Sequence, residues 1–282
     1  MTRYELRLAN WPKELRLRAA LISDLHVCEP WMNLDRVQQI VARTNALKPD
    51  IILLLGDFIA SQRMRRISQL VPYSQAIPAA DWAGVLRGLS APLGAHAVLG
   101  NHDWWWDEAA QDRRGGPTEV GKALEAAGIP VYQNDCVRLE TQGRPFWLAG
   151  LGDQWALFPP HRADGRYPPI PYQGLHDVPA MLGKITDDAP VLMMAHEPDI
   201  FAEMGEFADR VAVTVAGHTH GGQVRLFGFA PVVPSRYGRR FVYGHIVDNG
   251  RHLVVSGGLG CSGLPVRFGV PPEIVALDIA GT

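Results

Sequence analysis

The chain has 282 residues, 47% of them hydrophobic, and a formal net charge of -2. This length suits one large α/β domain or two small ones, and the near-neutral balance of charge argues against nucleic-acid binding through a broad basic surface. Three widely spaced cysteines, Cys28, Cys136 and Cys261, indicate neither a disulfide framework nor a zinc knuckle and are typical of a reducing compartment. The charged N-terminus and the lack of a long apolar run predict a soluble, cytoplasmic protein, with peripheral membrane contact left open.

The first hundred residues alternate between strand and helix patterns. Alternating apolar residues on both sides of Asn10-Trp11-Pro12 predict an N-terminal hairpin whose second strand ends at Asp24. Apolar residues at a spacing of about 3.6 predict a helix over 34–47. The continuous apolar run 51–55 predicts a strand buried on both faces, and another strand is predicted over 94–99.

The remainder of the chain continues the same alternation. A helix is predicted over 118–127, and strands are predicted near Val131 and over 137–140, 146–150, 191–195, 211–216, 252–256 and 273–279. Three irregular stretches, 60–80, 154–174 and 225–243, are interpreted as insertions near the candidate site described next. Since no repeat and no shift in composition marks a boundary, we predict one domain over 1–282.

Metal-capable side chains follow five of the predicted strands, each time where the strand ends. Ligands outside the carboxyl ends of strands are expected in an α/β architecture. One aspartate after a strand is more often a turn or cap residue than a ligand, but five such ends in order are hard to explain as caps. The residues are Asp24 and His26, Asp57, Asn101 and His102, His196, and His218 with His220. Oxygen and nitrogen donors without thiolate suit Mn, Fe, Zn or Ni, and the number of candidate ligands implies two metal ions.

These motifs resemble the signature of the calcineurin-like metallophosphoesterases, which reads Asp-x-His, Gly-Asp, Gly-Asn-His-Asp, His and Gly-His-x-His. The resemblance extends over roughly 19–277. Within the family, segment 217–223 and the ending 256–274 look closest to a bacterial branch that includes small phosphodiesterases and the UDP-2,3-diacylglucosamine pyrophosphatases. The resemblance implies an α/β fold, a four-layer α/β/β/α sandwich with two mixed sheets.

The resemblance also implies a role for each site residue. One metal would be held by Asp24, His26 and His220 and the other by Asn101, His196 and His218, with Asp57 bridging the two. A hydroxide that bridges the metals would attack phosphorus in line with the leaving group. His102 would contact the phosphate as a protonated imidazole and assist the leaving oxygen, with Asp103 holding its ring. Manganese is the first choice of metal, with Fe, Zn and Ni as alternatives.

We therefore predict a dinuclear-metal-dependent phosphoesterase that hydrolyses a phosphodiester or pyrophosphate bond in a phosphorylated small-molecule or lipid-linked substrate. The alternatives are a phosphomonoesterase, including a protein phosphatase, and a binding scaffold of the same fold, which the complete ligand set disfavours. Candidate substrate contacts are Arg63, Arg65, Arg66, Trp104 and Arg236. The opposing interpretation is a solvated loop for the arginines and core packing for the tryptophan. Clustered arginines would also suit an anionic membrane. The sequence predicts no oligomeric state.

Overall fold

The computed structural model describes residues 1–72, 74–159 and 172–282, in which two β-sheets pack face to face. Its strands are β1 Thr2–Leu8, β2 Leu17–Ile22, β3 Ile51–Leu54, β4 Ala95–Ala97, β5 Asp135–Thr141, β6 Arg144–Gly150, β7 Val191–Met194, β8 Val211–Ala216, β9 Gly244–Asp248, β10 Arg251–Val255 and β11 Val275–Gly281. Its α-helices are α1 Leu34–Ala46, α2 Gln62–Ser68, α3 Ala79–Leu86, α4 Asn101–Trp105, α5 Glu108–Arg113, α6 Glu119–Ala126, α7 Val178–Leu182 and α8 Ile200–Glu203. No helix of these described ranges is both long and apolar enough to cross a bilayer.

Both sheets are mixed. The first has the order β1-β11-β2-β3-β4 and the second has the order β5-β6-β7-β8-β10-β9. Strands β2, β3 and β4 are parallel, and so are β6, β7, β8 and β10, whereas β11, β5 and β9 each run antiparallel to a neighbour. Because parallel strands end at the same edge, the loops after β2, β3, β4, β7 and β8 meet there.

Three large apolar layers make up most of the core, and they separate four layers of secondary structure. Leu53 and Leu192 belong to the layer between the two sheets. Val37 and Trp82 pack in the layer between the first sheet and helices α1, α3 and α6. Phe201 lies in the layer on the outer face of the second sheet, beside α7 and α8. Burial of each large apolar side chain contributes about 2 kcal/mol before entropy costs. The predicted α/β/β/α sandwich is confirmed.

Helix α1 shows how local sequence sets an element. The side chain of Asn33 accepts a hydrogen bond from the Arg36 N–H and caps the first turn. Val37, Ile40 and Val41 form the buried face. The helix ends before Pro49, which cannot continue it. The Asn33 cap and the 3.6-residue spacing of the buried side chains therefore agree with the helix predicted over 34–47.

The predicted N-terminal hairpin is wrong. Strand β11 lies between β1 and β2, with Thr2 opposite Val275 in a parallel pair and Val275 opposite Leu21 in an antiparallel pair. Alternation and a turn signal show that two strands follow one another, but they do not show which strands pair. The strand predicted near Val131 is only an isolated bridge to Ala97, and β9 was not predicted.

Candidate metal centre

The seven predicted metal ligands converge at the edge where strands of both sheets end. Each is buried, with no more than 5% of its surface exposed. Asp24 and His26 follow β2, Asp57 follows β3, and Asn101 begins α4 after β4, while His196 follows β7 and His218 and His220 follow β8. The first four therefore come from one sheet and the last three from the other.

One group of donors consists of Asp24, His26, Asp57 and His220, whose potential ligand atoms all lie within 4.8 Å of one another. The Nε2 atom of His26 is 3.0 Å from Nε2 of His220 and 3.5 Å from Oδ2 of Asp57. The Nε2 atom of His220 is 3.4 Å from Oδ1 of Asp24. Two carboxylates and two imidazoles at this separation are a suitable donor set for a divalent cation.

A second group of donors consists of Asp57, His196 and His218. The Nε2 atom of His196 lies 3.3 Å from Oδ2 of Asp57 and 3.2 Å from Nδ1 of His218. The side-chain oxygen of Asn101 is buried and has no hydrogen-bond partner among the described residues. A buried amide oxygen without a partner is costly, and a cation would satisfy it. The residues present thus fit the metal-binding role that the sequence predicted.

Asp57 belongs to both groups, and its two oxygens have different surroundings. Oδ1 accepts a hydrogen bond of 2.9 Å from the His102 backbone N–H, whereas Oδ2 faces the imidazoles of His26 and His196. Burial alone would raise the pKa of Asp57, but His196, His102 and His26 hold it well below its usual value. The carboxylate is therefore ionised and can serve both groups.

Backbone carbonyls orient two of the candidate ligands. Nδ1–H of His26 donates to the Ile59 carbonyl at 3.0 Å, and Nδ1–H of His196 donates to the Leu55 carbonyl at 2.6 Å. In both rings the remaining nitrogen, Nε2, faces the cluster.

The Arg267 guanidinium lies against the third imidazole, with Nη2 at 3.0 Å from Nδ1 of His220. Burial, together with nearby His26 and Arg267, lowers the pKa of His220 well below its usual value. The ring is therefore neutral, which is the form that binds metals.

Positive backbone φ angles, which non-glycine residues rarely adopt, concentrate at this site. They occur at Asp24 (53°), His26 (45°), Asp57 (57°), His218 (67°) and His220 (52°). Each such residue costs about 1–3 kcal/mol, and strain of this kind is typical of functional sites. Gly100 allows a close approach, since a Cβ there would collide with the Asp57 carboxylate. The strained backbone at these residues thus directs their side chains to one point.

The predicted role of Asp103 as the residue that holds the His102 ring is wrong. Its carboxylate accepts hydrogen bonds of 2.9 Å from the backbone N–H groups of Asp57, Phe58 and Gly100. Asp103 is fully buried beneath the loop after β3. It therefore fixes the loop that carries Asp57 and is not placed to touch a substrate.

Trp106 orients His102 instead. Its Nε1 lies 3.2 Å from Nδ1 of His102. An indole nitrogen can only donate, so Nδ1 accepts and the ring proton lies on Nε2, which is 3.5 Å from Oγ of Ser262. Burial lowers the pKa of His102 to about 4, against an opposing effect of Asp57. The ring is therefore neutral near pH 7 in this structure, whereas a protonated imidazole was expected.

Sequence reasoning missed Trp106, although a signal was present. Residues four apart on a helix lie on the same face, and 102 and 106 have this spacing across α4. The tryptophan chosen from the sequence, Trp104, is 1% exposed and packs in the core, so the structure contradicts the prediction that it contacts substrate.

The arginines predicted to contact substrate do not lie together in the structure. Arg65 and Arg66 on α2 line an open groove of about 840 Å³ together with Trp105 and Trp106. Arg63 is exposed on the same helix but is not among the residues that line this groove. The guanidinium of Arg236 pairs with Glu203 at 3.4 Å, outside the two donor groups. Of the predicted insertion 154–174, residues 160–171 lie outside the described residues.

Two buried acids beside His196 were also missed. Asp153 and Glu197 lie close enough to His196 to form a third potential donor group. Burial and the neighbouring Glu197 raise the pKa of Asp153 well above its usual value, and burial raises that of Glu197. The Trp155 N–H donates to Asp153 at 2.8 Å, and the Gln154 N–H donates to Glu197 at 3.0 Å. The pair holds the loop after β6 against the loop after β7.

Comparison with known proteins agrees with this geometry. The family model described as calcineurin-like phosphoesterase matches residues 17–222, a range that includes all seven predicted ligands. The chain is 29% identical over 262 residues to the metallophosphoesterase YkuE of Bacillus subtilis, covering 92% of this chain and 78% of YkuE. It is 29% identical over 266 residues to the phosphodiesterase YaeI of Escherichia coli, covering 92% of this chain and 80% of YaeI.

A eukaryotic relative extends the comparison. The chain is 31% identical over 265 residues to the putative metallophosphoesterase F40B5.2 of Caenorhabditis elegans, covering 92% of this chain and 48% of that protein. The family match covers well over half of the chain, and the matched range includes every strand end at which the candidate ligands meet. The chain therefore belongs to the calcineurin-like phosphoesterase family, whose members are metal-dependent hydrolases.

Proposed function

We propose that the protein is a phosphodiesterase that uses two divalent metal ions to hydrolyse a phosphodiester or pyrophosphate bond. The observation that carries this proposal is the shared position of Asp57, which belongs to both donor groups and directs Oδ2 at imidazoles of each. The choice of a diester is supported by the phosphodiesterase YaeI, at 29% identity.

The first ion would be held by Asp24, His26 and His220, and the second by Asn101, His196 and His218, with Asp57 common to both. We propose manganese as the first choice of metal, with Fe, Zn and Ni as alternatives, because oxygen and nitrogen donors without thiolate suit all four. When bound, two such ions supply an activated water and neutralise charge on the phosphoryl oxygens.

His102 would act on the phosphoryl group or on the leaving oxygen. Its Nε2 carries the proton, and the Trp106 indole fixes this tautomer by donating to Nδ1. A donor held in a buried site before the reaction begins needs little reorganisation as negative charge develops. His102 therefore stabilises charge on an oxygen by donating a hydrogen bond.

The groove beside the site is the proposed position for the remainder of the substrate. Arg65, Arg66, Trp105 and Trp106 line it together with the acids Glu108 and Asp112, so it offers charged and aromatic surfaces together. Guanidinium groups bind phosphate oxygens, and indole rings pack on bases or acyl chains. We therefore propose a substrate larger than a simple phosphate, either a phosphorylated small molecule or a lipid-linked compound.

The direct test compares metal content and turnover in the wild type and in Asp57→Asn. The wild type should bind two metal ions per chain and hydrolyse bis-p-nitrophenyl phosphate faster than p-nitrophenyl phosphate. Asp57→Asn should lose metal and at least about 100-fold in activity, because both donor groups depend on this carboxylate. Asp35→Asn, an equivalent change at an exposed residue of α1, is the matched control and should retain both.

Two outcomes would contradict the proposal. Faster hydrolysis of the monoester than of the diester would make the protein a phosphomonoesterase. Absence of both metal and turnover in the wild type would favour a binding scaffold.

A further inference from the structure

Exposed apolar side chains of the protein concentrate beside the metal-binding cluster. Ten large hydrophobic side chains are exposed in the described part of the chain, and seven of them lie in two short segments, 224–232 and 264–268. They are Leu226, Phe227, Phe229, Val232, Leu264, Val266 and Phe268. We call these two segments the apolar rim. Exposed apolar groups that cluster in this way indicate an interaction surface.

Backbone hydrogen bonds join the two segments into one surface. The Arg225 N–H donates to the Phe268 carbonyl at 2.7 Å, and the Phe268 N–H donates to the Gln223 carbonyl at 3.0 Å. The Gln223 side chain adds a bond of 3.0 Å to the Ser262 carbonyl. Arg267, within the second segment, contacts His220 of the metal-binding cluster. The apolar rim is therefore continuous and adjoins the site.

Phe227 projects from the tip of the first segment. The N–H groups of Leu226 and Phe229 each donate to the other residue's carbonyl at 2.9 Å, which closes a two-residue turn. Phe227 and Gly228 have φ angles of 50° and 82°, as a type I′ turn requires. Phe227 is fully exposed, at 108% of the reference surface. A bulky aromatic residue is unfavourable at positive φ, so local folding does not account for a phenylalanine at this position.

Arginines surround the apolar rim. Segments 224–247 and 257–272 contain five arginines and no aspartate or glutamate. Two of the five are paired with acids outside these segments, Arg236 with Glu203 at 3.4 Å and Arg240 with Asp248 at 2.6 Å. The guanidinium of Arg225 donates to the Gly228 carbonyl at 3.1 Å, and that of Arg239 lies 4.5 Å from the centre of the Phe229 ring. Two cations are thus held beside the turn that projects Phe227.

We propose that the apolar rim docks the protein on the surface of an anionic lipid bilayer. Apolar side chains that enter the interface and arginines that meet anionic headgroups are the two components of peripheral membrane binding. An isologous contact with a second copy is disfavoured, because it would bring the arginines of both copies together. In combination with the proposed phosphodiesterase activity, on which this last step rests, docking would present headgroup phosphodiesters to the metal centre.

The basic helix α2 is a weaker candidate for the same role. It carries exposed Arg63, Arg65 and Arg66, but Leu70 is the only exposed large hydrophobic residue within the described part of 60–80. Arginines alone give a screened, salt-sensitive attraction. The apolar rim combines both kinds of contact.

The test measures co-sedimentation of the wild-type protein with vesicles of an equal mixture of phosphatidylcholine and phosphatidylglycerol, and with vesicles of phosphatidylcholine alone. We expect binding to the mixed vesicles and little binding to the neutral ones. Phe227→Asn should bind the mixed vesicles at least about tenfold more weakly, because the largest exposed apolar group of the rim is lost. Asparagine adopts positive φ readily, so this variant should keep the turn, and its melting temperature checks the fold.

Two further variants make the test specific. Leu70→Asn removes an exposed apolar side chain beside the α2 arginines and should bind as the wild type does. Replacing Arg225 and Arg239 together by glutamine should weaken binding to mixed vesicles about tenfold. The proposal is overturned if wild-type protein fails to bind mixed vesicles or if Phe227→Asn binds them unchanged. Self-association in analytical ultracentrifugation that Phe227→Asn abolishes would overturn it in favour of a second copy.

Discussion

His102 differs from the imidazoles of His26 and His196 because an indole, and not a backbone carbonyl, fixes its tautomer. The carbonyls accept from Nδ1–H of His26 and His196 and leave Nε2 of each free to bind a cation. Trp106 donates to Nδ1 of His102 and leaves Nε2–H as a donor. At the scale of single residues, the second partner of each ring therefore separates the proposed metal ligands from the residue proposed to donate to substrate.

This assignment predicts the behaviour of Trp106→Phe. The variant should retain metal but lose up to about tenfold in kcat on a diester with an alcohol leaving group, the value of one hydrogen bond. It should lose less on bis-p-nitrophenyl phosphate, whose leaving group needs little assistance. Trp105→Phe is the comparison, because its indole N–H donates to the Trp155 carbonyl at 2.7 Å and not to His102. Equal losses of Trp106→Phe on both substrates would assign the His102 donor to a phosphoryl oxygen, and unchanged kcat on both would contradict the assignment.

At the scale of elements, an acid outside the site connects strands of the second sheet. Asp187 accepts hydrogen bonds from Arg138 of β5 at 2.8 Å and from the Trp147 indole of β6 at 2.7 Å. It also accepts from the Ala189 N–H, just before β7, at 3.1 Å. Asp187 therefore holds together two strands and the start of β7, which ends at His196.

The pKa of Asp187 gives this contact a pH dependence. Hydrogen bonds from Trp147, Arg138 and the Ala189 N–H lower the pKa to about 2. Since the pKa in the folded protein lies below the unfolded value of about 3.9, the contact stabilises the fold above about pH 4 and is lost as the pH falls through about 2. Asp187→Asn should therefore melt below the wild type at pH 7, and the difference should narrow between pH 4 and 2.

The control for this prediction is Asp188→Asn, the same change at the exposed neighbouring residue. Thermal unfolding followed by circular dichroism across the pH range measures both variants. A difference between Asp187→Asn and the wild type that stays constant down to pH 2 would show that the carboxylate charge is not the cause.

At the scale of the whole molecule, the metal centre lies across the interface between the sheets. Asp24, His26, Asp57 and Asn101 follow strands of the first sheet, and His196, His218 and His220 follow strands of the second. A cation bound there would therefore cross-link the two halves of the sandwich. Its binding energy would add to the stability of the folded chain.

Removal of metal should accordingly destabilise the whole protein. Free metal at about 100 times its Kd stabilises the folded state by about 2.7 kcal/mol, which corresponds to a shift of about 5–10 °C in Tm. Differential scanning calorimetry with manganese and after chelation measures this shift. Asp57→Asn should melt at the same temperature in both conditions. A wild-type Tm that does not respond to metal would argue against a cation held by both sheets.

Much of the fold and of the site followed from local sequence. The 3.6-residue period predicted α1, apolar runs predicted β3, β7 and β8, and the polar residues after five predicted strands identified seven residues that the structure brings together. This inference succeeds because neighbouring parallel strands end at one edge, and β2, β3 and β4 in one sheet and β7 and β8 in the other are such neighbours.

Only the tertiary structure decided which groups touch. In the folded protein, β11 lies between β1 and β2, and the Asp103 carboxylate accepts hydrogen bonds from the backbone of the loop that carries Asp57. Trp104 is buried, and segments 224–232 and 264–268 form one apolar surface. Each of these arrangements depends on contacts between strands or side chains that lie far apart in the sequence, or on which of several polar groups binds a shared partner. Period, capping and spacing act over a few residues, so they determine the elements and their ends but not these partners.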